Sequence, residues 1–164
     1  MNWTRTILDG IAMAAYFNLF AAAVALYRPR LMFPCYPPAI IKAAKDPPTK
    51  AENRFYRLWI CFGELLPLLL YGAVSTVEGG TTGFWRLALT GYIQWMVVNV
   101  CDLLFLDFWL IQKKAKRRFI ISGTEGHPGY GFKAWMKEYA LPEHLLQWPL
   151  LLLSLIHISE PTRL

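Results

Sequence analysis

Three apolar runs, Ile7 to Tyr27, Leu58 to Val77 and Phe84 to Ile111, dominate this chain. Each reaches the roughly 20 residues that cross the hydrocarbon core of a bilayer as a helix. Lipid offers no water to unpaired backbone groups, so a segment in that setting must close its hydrogen bonds within itself or within a barrel. Composition agrees: 55% of the 164 residues are hydrophobic and only 17% are charged, against about 25% charged in soluble domains. A fourth, shorter run follows Pro142. The expected fold is therefore all-α, an integral membrane bundle of about four transmembrane helices in one domain, 1–152. Its spans fall near 7–27, 58–77, 85–111 and 142–152, the last truncated.

The segments between the runs carry local signals. The first run contains Asp9 and is followed at once by Arg28 and Arg30, which favours a retained span over a cleaved signal peptide. Pro34, Pro37, Pro38, Pro47 and Pro48 break the next loop, leaving room for a short amphipathic helix over 39–45. Thr49 and Glu52 have the spacing of a capping box, which starts a helix that continues into the second span. Glu78 to Gly83 is a tight polar turn, making spans two and three an antiparallel hairpin. Trp85 and Trp109 border the third span as interfacial aromatics do.

Charge sets the expected topology. Lys and Arg crowd the first and third loops, whereas the second has Glu78 and, at its far end, Arg86. The positive-inside rule puts loops one and three in the cytoplasm and the N-terminus outside. The net charge of +6 then serves lipid rather than nucleic acid. Lys113, Lys114, Lys116, Arg117 and Arg118 are the candidate contacts for anionic headgroups. Cys35, Cys61 and Cys101 lack CxxC spacing, so neither a disulfide framework nor a zinc site is expected, and no cofactor is implied.

Charged groups inside a span cost about 2.5–3.5 kcal/mol on insertion scales, so each needs a reason. Asn18, Glu64, Asn99 and Asp102 come from three spans, at a depth of roughly 9–18 Å from the cytoplasmic face at 1.5 Å per residue. Asn99 and Asp102 share a helix face. Pro67 follows Glu64 and disturbs the bond to the Gly63 carbonyl, freeing an oxygen at that level. Asp107 faces elsewhere, within reach of Lys113 and Lys114. These four residues form a candidate pocket for a cation or a proton, since hard oxygen ligands suit such ions. The competing reading makes them helix ties through interhelical hydrogen bonds.

Ser122 to Gly131 is glycine-rich. An anion site there would draw on the neighbouring basic run, but a flexible turn returning the chain to the membrane is the simpler use, and His127 has no evident catalytic partners. The pattern Asn99-Val100-Cys101-Asp102 through Asp107, followed by Ser122-Gly123-Thr124-Glu125, is similar to one in small polytopic bacterial membrane proteins of unassigned function, where proline often stands in place of Ser122. That resemblance implies a four-helix fold in a bacterial inner membrane, and no activity. Leu153 to Arg163 resembles the in-frame translation of a transposase-based sequencing adapter, which implies that 153–164 is a non-native tail.

The function expected from these features is a small transport or ion- or proton-coupled membrane protein with an inner-leaflet polar pocket, working as a homo-oligomer such as a dimer because four helices enclose little volume. A structural or assembly protein is the alternative. A lipid-modifying enzyme ranks last, because no specific nucleophile, base or metal cluster is evident.

Overall fold

The computed structural model describes residues 2–159, with side chains as far as residue 151. Of the adapter-like stretch, only backbone to Ser159 is described; 160–164 lie outside the described residues. The described residues are mainly helical, without strands. Helix α1 spans Trp3–Tyr27 and α2 spans Pro38–Ala43. The long helices α3, Lys50–Glu78, and α4, Phe84–Lys114, follow. A last helix, α5, covers 132–159. Three helices, α1, α3 and α4, are long and apolar enough to cross a membrane.

The distribution of polarity is inverted relative to a soluble protein. Leu19, Phe62, Leu69, Val77 and Leu104 are exposed, while Thr6, Asp9, Asn18, Glu64, Gln94, Asn99 and Asp107 are buried. Apolar surface outside and polar groups inside suit a lipid surround, where interhelical contact relies on close packing and hydrogen bonds. The closest packing joins α1 to α4. Gly10, Ala14, Ala21 and Ala25 are buried along α1, spaced by four and seven so that they lie on one stripe. A β-carbon at Gly10 would meet Val97 Cβ at 3.0 Å, so a larger residue here would require Val97 to give way.

Several local expectations hold. Thr49 caps α3 and Glu52 returns the bond, completing the capping box. The α3–α4 turn uses left-handed backbone at Gly80 and Gly83, where a side chain would be strained. The short helix in loop one covers Pro38–Ala43.

Two expectations need revision. The last helix starts at Phe132, well before Pro142. A π-helical segment, Met136–Ala140, ends two residues before that proline. Likewise Trp59–Leu65 is π-helical and ends just before Pro67. The widened turn changes the i→i−4 ladder locally, so each proline sits where the regular bond is already interrupted. The glycine-rich loop is also no slack turn. Thr124 is buried, and its hydroxyl meets both the Ile121 carbonyl and the Tyr130 hydroxyl at 2.8 Å. Tyr36 and Ile40 of loop one join Phe119, Tyr130 and Trp135 in one apolar cluster with the ends of α1 and α4. Loops one and three thus form a packed cap over one end of the helices, and on the exposed side of loop one Arg30 clasps Asp46 and Glu52.

Candidate functional site

Under that cap lies a cavity of about 290 Å³, bounded by α1, loop one, α3, α4 and α5. Its polar lining comprises Cys35, Tyr56, Glu64, Asp102, Asp107, Tyr139, Glu143, His144 and Gln147, with no Lys or Arg. All three π-helical segments contribute: Glu64 from α3, Asp107 from the Leu103–Lys114 stretch of α4, and Tyr139 from α5. A π turn rotates side chains away from the regular helical register, and such turns cluster at functional positions.

His144 ties the acidic wall together. Its Nε2 lies 3.0 Å from Asp107 Oδ2 and 3.7 Å from Asp102 Oδ2. The indole of Trp135, itself fully buried, donates to the other Asp107 oxygen at 3.2 Å. Asp107 is therefore held from two sides, whereas Asp102, its side chain 22% exposed, lines the cavity with only the longer His144 contact. Glu64 is 2% exposed and its Oε1 has no hydrogen-bond partner; His144 Nδ1 is equally buried and unpartnered. A buried polar atom left unpaired costs about 1–3 kcal/mol, and here two such atoms belong to residues that line one cavity.

The four residues singled out from sequence separate into two pairs. Glu64 and Asp102 line the cavity together. Asn18 turns back on α1, its amide donating to the Ala14 carbonyl at 2.9 Å while its Oδ1 is buried without a partner. Asn99 spends both amide atoms on α5: Nδ2 donates to Gln147 Oε1 at 3.0 Å, and Oδ1 accepts from the Trp148 indole at 3.1 Å. Trp95 donates to the same Gln147 oxygen, so Asn99 belongs to a knot joining α4 to α5.

Other polar groups also find unanticipated partners. Asp107 engages Trp135 and His144, not the lysines; Lys113 instead sits 4.2 Å over the Phe108 ring and Lys114 5.9 Å over Trp109. The Gly63 carbonyl beside Pro67 accepts the Tyr16 hydroxyl, so α1 caps the oxygen that the proline releases. Asp9, at the opposite end of the helices, accepts from Tyr71 and Ser75, and Arg5 bridges Ser75 and Glu78.

His144, Glu143, Tyr139 and Cys35 were missed from sequence. Three of them precede or enter the last apolar run, where a signal did exist: Glu143, His144 and Gln147 interrupt Leu-rich sequence at helical spacing. Cys35 sits in a short 3-10 turn, Pro29–Cys35, and is 3.0 Å from the Tyr56 hydroxyl. Burial pushes its thiol up to about 11, with the Tyr56 bond acting in the opposite sense.

Among the described residues no three His, Cys, Asp or Glu side chains are grouped to hold a metal ion. The acidic side chains line the cavity together with Phe17, Tyr56, Trp59 and Trp95. On the basic flank, Lys113, Lys114, Lys116, Arg117 and Arg118 line an open groove with Leu26 and Ile120. No family model, curated protein or solved structure matches this chain.

Proposed function

We propose that the chain is a small multi-pass transport or ion-coupled membrane protein that takes up a proton or a cation in the cavity beneath its cap. One observation carries this reading: Glu64, buried with Oε1 unpartnered, lines the same lysine- and arginine-free cavity as Asp102. A carboxyl group at that depth is costly, and a cation or proton at the cavity would offset the cost. Asp107 and His144 supply further sites for a shared proton, and Cys35, Tyr56, Tyr139 and Glu143 face the same space.

Orientation follows from charge. Loops one and three, with the cap they form, belong in the cytoplasm of a bacterial inner membrane, and the N-terminus outside. The cavity then opens within the inner-leaflet half. Lys113, Lys114, Lys116, Arg117 and Arg118 bind anionic headgroups along their groove, helped by the cation–π contacts of Lys113 and Lys114. A purely structural role is favoured for Asn99 alone, since its knot with Trp95, Gln147 and Trp148 needs no ligand.

The test is melting in a neutral detergent, across pH and monovalent cations, of wild type against Asp102→Asn. A wild-type melting point that responds to pH or cation, with the response lost in a variant that folds as well or better, supports uptake at this cavity. A variant that melts lower under every condition, beside a wild type with no such response, makes Asp102 a helix tie and removes the proposal.

A further inference from the structure

The acidic cavity has an apolar annex. A groove of about 490 Å³ opens beside it, lined by Phe20, Ala23, Val24, Leu31, Phe55 and Trp59. Phe20, Val24 and Trp59 line both spaces. The Phe20 and Trp59 rings stack with centroids 5.0 Å apart, so they stand as a partition between groove and cavity. The groove runs between α1 and α3 on surface that elsewhere is exposed and apolar. Arg28 lies at its end, 5.8 Å over the Tyr27 ring, where a guanidinium can reach lipid phosphates.

We infer that the cavity takes an organic ammonium ion bearing a hydrocarbon chain, with the head near Glu64 and Asp102 and the chain in the adjoining groove. The inference rests on the reading of the cavity as a proton or cation site and names its ligand class. Three observations converge on it. The unpartnered, buried Glu64 oxygen calls for a donor or a positive charge. Among the described residues the carboxyl groups are not grouped as metal ligands, and Phe17, Tyr56, Trp59 and Trp95 line the same cavity. That combination suits a bulky, weakly hydrated ammonium, which aromatic rings attract through their quadrupoles. Finally, a small polar cavity that shares a wall with a larger lipid-facing groove matches a ligand with one charged and one apolar end.

Gly63 offers control of the partition. A β-carbon there would come within 2.5 Å of the Phe20 ring, so Gly63→Val must displace that ring without altering an acidic group. The experiment measures radiolabelled dodecyltrimethylammonium bound to the protein in nanodiscs of zwitterionic lipid, corrected with empty discs. Tetramethylammonium and dodecanol serve as the head-only and chain-only probes. Expected are saturable binding by wild type, a loss of at least ten-fold in Glu64→Gln and in Asp102→Asn, and at least ten-fold weaker binding of either partial probe. Gly63→Val should weaken the amphiphile while leaving tetramethylammonium unchanged. Two acidic-site variants guard against one of them failing to fold.

Equal binding by wild type and both acidic-site variants overturns the inference, as does equal binding of dodecanol. Binding of tetramethylammonium as tight as the amphiphile removes the chain from the assignment. No saturable binding, in a wild type whose melting still responds to pH or cation through Asp102, overturns the ligand class and leaves the proton or small-cation reading standing. If that response is absent too, both fall.

Discussion

At the scale of single residues, each polar group in the helices is decided by its partners rather than by its depth. Asp9 is satisfied by Tyr71 and Ser75, Asp107 by Trp135 and His144, and Asn99 by Gln147 and Trp148. Among the described carboxyl groups of the helices, Glu64 alone keeps a buried oxygen without one, which is why the functional assignment rests on it. Depth and chemistry were legible in the sequence, because a carboxyl within an apolar run is visible as a cost. Partners were not, because His144 and Trp135 come from a different helix. Cys35 illustrates the same dependence on surroundings, and its behaviour is checkable outside the spans. Its thiol is raised from 9.0 to about 11 by burial. The folded state therefore holds its proton longer than the unfolded chain. Stability is full below about pH 9 and falls as pH rises towards 11. Thermal melts from pH 8 to 11 should fall more steeply for wild type than for Cys35→Ala; parallel curves would mean that the thiol is not held in this way.

At the scale of elements, the helices are long but locally irregular, and the irregularities have causes. Pro67 and Pro142 each follow a π-helical segment, and the third π stretch carries Asp107. Proline was readable as a disturbance. The compensating π turns were not, because a widened turn depends on what the rotated side chains pack against. Tyr16 shows how a neighbour completes the repair, its hydroxyl capping the Gly63 carbonyl from α1. Interhelical bonds within membranes average about 0.6 kcal/mol, with maxima near 1.7. Tyr16→Phe should therefore lower stability by about 1 kcal/mol, read by denaturant or thermal unfolding in detergent. A change in unfolding indistinguishable from zero would show that lipid or solvent satisfies that carbonyl in any case. The glycine-rich loop makes the converse point. Its glycines suggested slack, yet Thr124, Tyr130 and Ile121 lock it into the cap, a contact that links residues nine apart with others far away in loop one.

At the scale of the whole molecule, three long apolar helices and two packed basic loops give the described residues one polar end, one capped end and exposed apolar flanks. The proposed orientation has a direct check. In a background with the three cysteines replaced by alanine, Thr82→Cys should react with an impermeant maleimide added outside intact cells, and Ser122→Cys only after permeabilisation. The opposite pattern would invert the topology and move the cavity to the outer half. The sequence by itself determined the helical class, the approximate limits of three long helices, the α3 cap and the hairpin turn, because these follow from run length, capping spacing and glycine backbone freedom within a few neighbouring residues. Only the tertiary structure decided that Glu64 and Asp102 share a cavity with His144, that Asn18 and Asn99 are drawn elsewhere, and that loops one and three form a cap. Those outcomes depend on how four helices rotate against one another, set by close contacts such as Gly10 against Val97 and by local π turns. Rotation of one helix against another is an energy of pairs, and no single stretch of sequence contains both members.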